Sequence, residues 1–247
     1  MKSTSALSIS KIRELWGNVY RIATGCKALD NLLRGGFPSS HITLIYGERS
    51  SGKTQLCHQV TAHYLIANRD KYAVYVDVDL AFTPSRVVNI ANRFKKIEAK
   101  DVLSRILYYK PSSFEDQARL IDLLYEVHDK APHDLIIIDS LSTLIRGEYG
   151  IAVIERQRAL SNYIRRLQEY ALRKNVVIIM TDNVHLVKQL NKEMLLPVSS
   201  QALEISMTRL KLIRAIGTKR ICRIESSPIL PEEEAVFSIT EEGLVDI

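Results

Sequence analysis

An α/β fold with a mostly parallel sheet flanked by helices is the fold class that this sequence predicts. Three observations favour it: short, nearly apolar runs recur, helical patterns separate them, and a glycine-containing loop joins one run to the helix after it. Strands buried on both faces of a parallel sheet are apolar in this continuous way. The predicted strands cover residues 42–46, 73–78, 106–109, 135–139 and 176–180.

The composition suits one α/β domain, or one domain with a small appendage. The chain has 247 residues, of which 46% are hydrophobic and 25% charged. No apolar run approaches the roughly 18 residues that span a bilayer, and the first residues do not resemble a secretory signal, so we expect a cytoplasmic protein without a membrane partner. The three cysteines are far apart and odd in number. We expect them to be reduced thiols in the core.

Helices are predicted at residues 111–127 and 153–171. Ser112, followed three residues later by Glu115, indicates a capping box at the start of the first helix. The pattern changes after residue 205, where two strands joined around Gly217 and a third strand at residues 235–240 predict an antiparallel end to the sheet. The hairpin carries six basic residues and no acidic ones between residues 205 and 224. That charge favours a polyanion partner, with a solvated hairpin face as the alternative.

A phosphate-binding loop is the most specific motif. The segment GERSSGKT follows a predicted strand and precedes a helix, and it matches the pattern GxxxxGK[ST]. Loop amides and the helix N-terminus favour a polyphosphate, Lys53 reaches the terminal phosphates, and the Thr54 hydroxyl suits Mg²⁺. The expected nucleotide-binding residues, including the one after the motif, are Gly47, Glu48, Arg49, Ser50, Ser51, Gly52, Lys53, Thr54 and Gln55.

Three further polar residues follow predicted strands. Asp139 ends the run LIIID and is expected to hold Mg²⁺ together with Thr54. Asp77 and Asp79 occupy alternate positions at the end of another strand, so we expect them to point to the same face. Asp79, nearer the carboxyl end of the strand, is the better candidate to deprotonate a water. The alternative is a strand-end turn with solvated acids. Asn183 follows the strand VVIIM, where an amide could sense a phosphate, although by sequence alone this is a turn.

In this order the motifs resemble the RecA/RadA recombinase family, particularly the short archaeal RadB-type paralogues. The resemblance runs from about residue 22 to the end, through TGCKALDNLLRGGF, the phosphate loop, YVDVDLAFTPSR, LIIIDSLSTLIRGEY, TDNVH and SPILPEEEAVFSIT. It implies a RecA-type P-loop core at residues 21–247, ATP and Mg²⁺ as cofactors, and Arg86 packing on the adenine. We expect residues 1–20 to be a tail or helical segment in which Leu7 and Ile9 could dock on a partner recombinase.

Departures from the family pattern imply slow catalysis. The family glutamate and sensor glutamine fall on Asp79 and Asn183, each one methylene shorter, and the glycine after the glutamate falls on Leu80. A general base displaced by about 1 Å can cost on the order of 100-fold in rate. The aspartate that caps ATP in the neighbouring subunit falls on Ser226, where Glu225 could substitute. We expect the N-terminal domain and its aromatic docking motif to be absent, and homofilament formation to be impaired.

The two loops expected to face DNA also differ from the family. Residues 146–157 are short and keep Arg146, and residues 185–200 lack paired glycines. We therefore expect weak, salt-dependent binding of single-stranded DNA. The expected DNA contacts are Arg146, Lys188, Lys192, Arg209, Lys211 and Lys219.

Three functions follow as hypotheses. The leading one is a recombinase paralogue in DNA recombination and repair, a weak ATPase that binds single-stranded DNA and modulates a RadA-type recombinase. The second is a DNA-dependent strand-exchange recombinase, in which Asp79 and Asn183 form a contracted catalytic pair. The third is a signalling ATPase of the related clock-protein branch that does not act on DNA.

Overall fold

The computed structural model describes residues 19–94, 99–150, 152–189, 192–197, 199 and 207–247. Within them the helices are α1 Lys27–Leu32, α2 Lys53–Ala67, α3 Pro84–Phe94, α4 Ala99–Ser104, α5 Phe114–Val127, α6 Thr143–Tyr149 and α7 Val153–Lys174. The strands are β1 Arg21–Ile22, β2 Phe37–Pro38, β3 His41–Gly47, β4 Tyr72–Asp77, β5 Ile106–Tyr109, β6 His133–Asp139, β7 Val177–Gln189, β8 Lys192–Pro197, β9 Thr208–Arg214, β10 Lys219–Ser226, β11 Glu234–Thr240 and β12 Gly243–Val245.

One large sheet organises these elements, in the order β12-β11-β10-β9-β3-β7-β6-β4-β5, and β8 pairs with β7 off this path. The strands from β9 through β3, β7, β6 and β4 to β5 are parallel. Strands β9 to β12 pair antiparallel with one another. The predicted α/β fold, with a parallel sheet and an antiparallel C-terminal extension, is confirmed and is consistent with a RecA-type core.

Two apolar cores lie on opposite faces of the sheet. On β6, Leu135 and Ile137 pack into the core beneath α1, α2 and α3, whereas Ile136 and Ile138 pack into the core beneath α5, α6 and α7. The other central strands alternate in the same way, because successive side chains of a strand point to opposite faces. Burial on both faces accounts for the continuous apolar runs. Because the central strands are parallel, their carboxyl ends lie at one edge of the sheet.

Helix α5 begins one residue later than the predicted capping box indicates. The N-cap is Ser113, whose Oγ accepts a hydrogen bond from the Asp116 amide at 3.0 Å, and the Asp116 carboxylate accepts the Ser112 amide at 2.8 Å. Ser113 and Asp116 therefore cap the helix in place of Ser112 and Glu115, and the Asp116 carboxylate accepts the amide of Ser112 rather than that of the N-cap Ser113. A short carboxylate at the third helical position reaches back as a glutamate would.

Two expected loops are largely regular structure. Of the first expected DNA loop, residues 146–149 end α6 and residues 153–157 begin α7. The run that was expected to end near residue 180 continues to Gln189 and turns back into β8 as a hairpin, with Val187 opposite Met194. The interpretation of this segment as an irregular loop is therefore wrong for residues 185–189 and 192–197.

The described helices include none that is long and apolar enough to cross a membrane. All three cysteines, Cys26, Cys57 and Cys222, are buried free thiols, as expected.

Candidate nucleotide-binding site

The phosphate loop lies between the end of β3 and the start of α2. Ser50 and Gly52 both adopt positive φ, at 61° and 108°. A Cβ at residue 52 would lie 2.5 Å from Ile239 Cδ1, and one at Gly47 would lie 2.3 Å from the Leu212 carbonyl oxygen. Both glycines of the motif are therefore required by close packing of the C-terminal strands, in addition to any ligand.

Lys53 begins α2 with its amine at the floor of the site. Nζ donates to the carbonyl oxygens of Gly47 at 2.8 Å and Glu48 at 3.0 Å, and the residue is only 9% exposed. Burial lowers its pKa, and the negative charges of Asp139, Asp182 and Asp79 oppose that shift. A cation whose present acceptors are only carbonyls can exchange them for phosphate oxygens.

Thr54 and Asp139 meet as the sequence predicted for a metal site. The Thr54 hydroxyl donates to Asp139 Oδ2 at 2.8 Å, and the Tyr75 hydroxyl donates to the same oxygen at 3.1 Å. Thr181 Oγ1 donates to the other oxygen, Oδ1. Burial raises the pKa of Asp139, and these hydroxyls counter the shift by stabilising the carboxylate. A hydroxyl and a carboxylate oxygen in contact are suitable ligands for Mg²⁺.

A cavity of about 710 Å³ opens above these residues. Besides the loop, Lys53, Thr54 and Asp139, its lining includes Asp79 and Leu80 after β4, Asn183 on β7, and Thr143, Arg146 and Gly147 on α6. The structure therefore brings the predicted catalytic residues Lys53, Asp79 and Asn183 to one cavity. It also places Arg146, which was expected to contact DNA, in the wall of this cavity.

Asp77 and Asp79 do not share a face, contrary to the alternation read from the sequence. Strand β4 ends at Asp77, so the period of two stops there. The buried Asp77 carboxylate accepts the amides of Ala81 at 2.9 Å and Phe82 at 3.1 Å, and the Tyr108 hydroxyl at 2.9 Å. Asp77 therefore shapes the turn, while Asp79 is exposed in that turn at the cavity.

Asn183 lies within β7 rather than in a turn, since the strand continues to Gln189. Its neighbour Asp182 is fully buried and accepts four hydrogen bonds, from the Ser142 hydroxyl, the Asn183 amide at 2.9 Å, and the Ser199 amide and hydroxyl at 2.8 and 2.7 Å. Burial raises the pKa of Asp182, and these donors oppose the shift. The carboxylate joins β7 to the start of α6 and to Ser199.

Arg86 and Gln55 stand together on the other side of the loop. Arg86 Nε donates to Gln55 Oε1 at 2.5 Å, Nη1 donates to the Glu241 carbonyl at 2.6 Å, and Nη2 donates to the Thr240 carbonyl. These bonds tie α3 to the turn after β11 and hold the guanidinium in place. The N–H groups at the edge of the guanidinium already donate hydrogen bonds. Its flat face is the surface on which an aromatic base would stack.

The basic candidates on the hairpin have different environments. Arg209 Nε donates to Ser226 Oγ at 2.6 Å, and Lys211 Nζ lies 3.5 Å from a Glu225 carboxylate oxygen, whereas Lys219 is exposed. Lys211 and Lys219 point to the sheet face opposite α2, because Leu212 and Cys222 fill the core on the other side. Lys188 and Lys192 flank the β7–β8 turn, where the backbone of Gln189 pairs with Lys192.

Glu225 is already engaged within the chain. It accepts a hydrogen bond from the Tyr46 hydroxyl besides its contact with Lys211, and burial raises its pKa. The expectation that it reaches a neighbouring subunit's nucleotide therefore requires it to leave these partners.

The site fits a polyphosphate and a magnesium ion. Ser51 Oγ is buried in the loop without a hydrogen-bond partner in the described part of the chain. The first amides of α2 have no intrahelical acceptor, and they add positive potential at the same place. Lys53 supplies a cation, and the Thr54–Asp139 pair supplies oxygen ligands.

Sequence reasoning missed Tyr75, Thr181 and Asp182. Tyr75 and Thr181 lie on the same sheet face as Asp139, each two residues after a core residue of that face, Ala73 and Ile179. Counting alternate positions on each strand could have found these two hydroxyls. Asp182 carries no such signal, because its partners Ser142 and Ser199 are distant in sequence.

Comparison with known proteins decides the family. A family model described as Rad51 matches residues 16–247. The chain belongs to the Rad51 family. This Rad51-family chain is 35% identical over 242 residues to a meiotic recombination protein DMC1 homolog of Lilium longiflorum, covering 93% of this chain and 68% of that protein. It is 33% identical over 250 residues to the DNA repair protein Rad51 homolog of Drosophila melanogaster, covering 97% and 74%.

A third relative, the DNA repair protein RAD51 of Saccharomyces cerevisiae, is 32% identical over 238 residues, which cover 91% of this chain and 59% of that protein. The Rad51-family chain therefore spans about three fifths to three quarters of these relatives. The family is one of recombinases in DNA recombination and repair, and the resemblance to RecA/RadA recombinases is confirmed at that level.

Proposed function

We propose that this chain is an ATP-binding recombinase paralogue that hydrolyses ATP slowly and acts on single-stranded DNA and a RadA-type recombinase. The observation that carries the proposal is the contact between Thr54 Oγ1 and Asp139 Oδ2, 2.8 Å, beside the buried amine of Lys53 in one cavity. That arrangement supplies a phosphate cradle and a metal site at the same point. The Rad51-family match supports recombination as its setting.

Nucleotide binding follows from the loop. Lys53 pairs with the terminal phosphates, and Gly47 through Gln55 surround the chain of phosphates. Arg86 offers its plane to the adenine from α3. Thr54 and Asp139 would hold Mg²⁺, which when bound would neutralise the charge of the phosphates.

Slow hydrolysis is the part of the proposal that the turn after β4 supports. Asp79 is exposed, and its carboxylate accepts no hydrogen bond from the described residues. It can accept a proton from water, but no described residue holds its oxygens at one position, and its side chain is a methylene shorter than the family glutamate. Asn183, also shortened, reaches the same cavity from β7. Poor positioning of a general base reduces the rate more than it reduces binding.

DNA binding is proposed on the basic surfaces. Lys211 and Lys219 share the open face of the β9–β10 hairpin, Arg209 lies along the same strand pair, and Lys188 and Lys192 lie at the β7–β8 turn. We propose weak, salt-dependent contacts with phosphates there, because basic side chains that bind phosphates release counterions without reading bases. Arg146 lines the nucleotide cavity. We propose that it contacts the part of the DNA strand that passes nearest to ATP.

The RadB-type paralogue role is the finer part of the proposal. We propose residues 21–247 as the ATPase core and residues 1–20 as the segment that docks on a partner recombinase. Leu7 and Ile9 lie outside the described residues. The shortened Asp79 and Asn183 support a modulating role over self-sufficient strand exchange, and impaired homofilament formation belongs to the same proposal.

Turnover of ATP by the purified chain tests the proposal. ATP hydrolysis is measured alone, with single-stranded DNA, and with a RadA-type recombinase, and Lys53→Ala is the matched inactive control. We expect tight Mg²⁺-dependent ATP binding, slow turnover that Lys53→Ala abolishes, and no strand exchange by the chain alone. Affinity for single-stranded DNA should fall as salt rises, with a smaller slope after Lys211→Gln or Lys219→Gln.

Different outcomes favour the other hypotheses. Strong DNA-stimulated hydrolysis, lost in Asp79→Ala, together with strand exchange, would establish a full recombinase in place of a paralogue. Absence of DNA binding even at low salt would favour the signalling ATPase, against which the Rad51-family match weighs.

A further inference from the structure

Arg220, on β10, lies against the outer side of the phosphate loop. It lines a second cavity of about 320 Å³ with Ile239 and loop residues, and its Nε is 4.0 Å from the position that a Cβ on Gly52 would occupy. This cavity shares Ser50, Lys53 and Thr54 with the larger one. The two cavities therefore lie on two sides of one loop, and the C-terminal extension forms the wall of the second.

The guanidinium of Arg220 is held in place but lacks an anionic partner. Nη1 donates to the carbonyl oxygens of Lys219 at 2.7 Å and Gly217 at 3.2 Å, both in its own hairpin. Nε is buried without a hydrogen-bond partner in the described part of the chain, and no carboxylate of that part pairs with the side chain. Burial lowers the pKa of Arg220, and Arg214 across the strand pair lowers it further.

An anion beside this guanidinium would satisfy it. Arginine binds phosphate oxygens with charge-assisted hydrogen bonds, and the cost of ordering its long side chain is lower where the protein already holds it. The same anion would offset the repulsion between Arg214 and Arg220. The phosphate loop next to Arg220 is where such an anion is expected.

The position of Arg220 along the loop selects one phosphate. Asp79, Asp139 and Asn183 line the larger cavity, so the terminal phosphate and the metal belong there. Gln55 lines the smaller cavity and is bonded to Arg86, which marks the direction of the base. Arg220 lines the smaller cavity with Gln55 and does not line the larger one, so it lies on the base side of the loop, where the triphosphate would join the ribose.

We propose that Arg220 binds the α-phosphate of the nucleotide, and this assignment rests on the proposed function, that the loop binds ATP. Strand β10 then has two roles on its two faces. Arg220 contacts the nucleotide on the α2 side, and Lys219, its neighbour in sequence, faces the opposite side with Lys211. The basic hairpin is thereby divided between a nucleotide contact and a surface open to a polyanion.

Equilibrium binding of three ligands to the full chain tests the assignment. The ligands are ATP, tripolyphosphate and pyrophosphate, each with Mg²⁺, and the variants are Arg220→Gln, Arg220→Lys and the exposed neighbour Arg214→Gln as the matched control. Pyrophosphate has only two phosphates, and we expect its Mg²⁺ to place them at the two positions nearest Thr54 and Asp139. We expect Arg220→Gln to weaken ATP and tripolyphosphate binding by about 10- to 100-fold, the effect of one charged hydrogen bond, and pyrophosphate binding by less than about 3-fold. Arg214→Gln should change none of the three by more than about 3-fold.

Several results would overturn the assignment. If Arg220→Gln leaves the affinity for ATP unchanged, Arg220 does not contact the nucleotide. If the affinity for pyrophosphate falls as much as that for ATP, the substitution acts through general charge or folding rather than through the α-phosphate. A loss for ATP but not for tripolyphosphate moves the contact to the ribose or base. If Arg220→Gln is unfolded by circular dichroism, Arg220→Lys decides: a loss for ATP of about 3- to 10-fold with unchanged pyrophosphate supports the contact, since lysine keeps the charge without the fork. An unmutated chain that binds no ATP refutes the proposed function instead.

Discussion

Two regions of the nucleotide cavity hold their carboxylates in different ways. Asp139 and Asp182, on β6 and β7, are buried, and they accept three and four hydrogen bonds from separate elements. Asp79, in the turn after β4, is exposed, and no described residue donates to its carboxylate. These hydrogen bonds hold the carboxylates of the first region in place before any ligand arrives. The second depends on the ligand or a partner for its order, so binding and hydrolysis should respond to different mutations.

The largest expected effect tests the rigid region. Asp182→Ala leaves the Ser142 hydroxyl, the Ser199 amide and hydroxyl, and the Asn183 amide without their acceptor, all of them buried or partly buried. We expect the free energy of unfolding to fall by about 3–4 kcal/mol. Urea unfolding without nucleotide measures it. Asp79→Ala is the control, which should change stability by less than about 0.5 kcal/mol. Equal losses in the two variants would refute the comparison.

Asp139→Asn separates metal binding from the architecture of the same region. The amide keeps the shape of the side chain but gives up the negative charge that Mg²⁺ requires. We expect the affinity for ATP to fall about 10- to 100-fold with Mg²⁺ present, and to change little in EDTA. A fluorescent ATP analogue with and without chelator measures both values. A loss of the same size in EDTA would mean that the Asp139 charge supports the fold rather than the metal.

The central strands of this fold can be predicted from the sequence, because each is a short, continuous run of apolar residues. Strand β5 matches its prediction residue for residue, and β3, β4 and β6 differ only by one or two residues at their ends. Continuous apolar runs predict such strands because both faces of the central sheet are covered. Strand β7 was predicted too short, because its second half pairs only with β8 and has no apolar run.

Pairwise geometry across the sheet was less predictable. Lys53, Thr54 and Asp139 could be assigned because the loop motif and strand end have fixed places in a parallel sheet. Asp77 and Asp79 were placed on one face because the end of β4 at Asp77 leaves no mark in the sequence. The hairpin arginines and lysines could not be divided between its faces without the register that pairs Arg220 with Arg214.

Asp79→Glu tests whether the exposed turn limits hydrolysis. The added methylene returns the reach of a glutamate to the cavity without altering Lys53 or Asp139. We expect the turnover of ATP to rise roughly 10-fold, within the range that a displacement of about 1 Å costs, with an unchanged Kd for ATP. Steady-state phosphate release measures the rate, and Asp79→Asn, which cannot take a proton, should be inactive. A slower glutamate variant would show that the site is contracted around the aspartate, as the full recombinase hypothesis requires.

Leu80 gives the smallest and most local test of the same turn. It adopts a φ of 55°, a conformation that costs a residue with a Cβ about 1–2 kcal/mol, and its side chain is 61% exposed at the cavity. Leu80→Gly removes that strain but adds backbone entropy to the unfolded chain, so a net gain of about 0.5–1 kcal/mol in stability is expected. Leu80→Ala is the matched control, because it removes the exposed apolar surface and keeps the strain. If alanine stabilises the protein as much as glycine, exposure rather than backbone conformation is the cost of Leu80. If only Leu80→Gly stabilises the protein and the affinity for ATP stays unchanged, then the backbone conformation of the turn after β4 affects stability without affecting nucleotide binding.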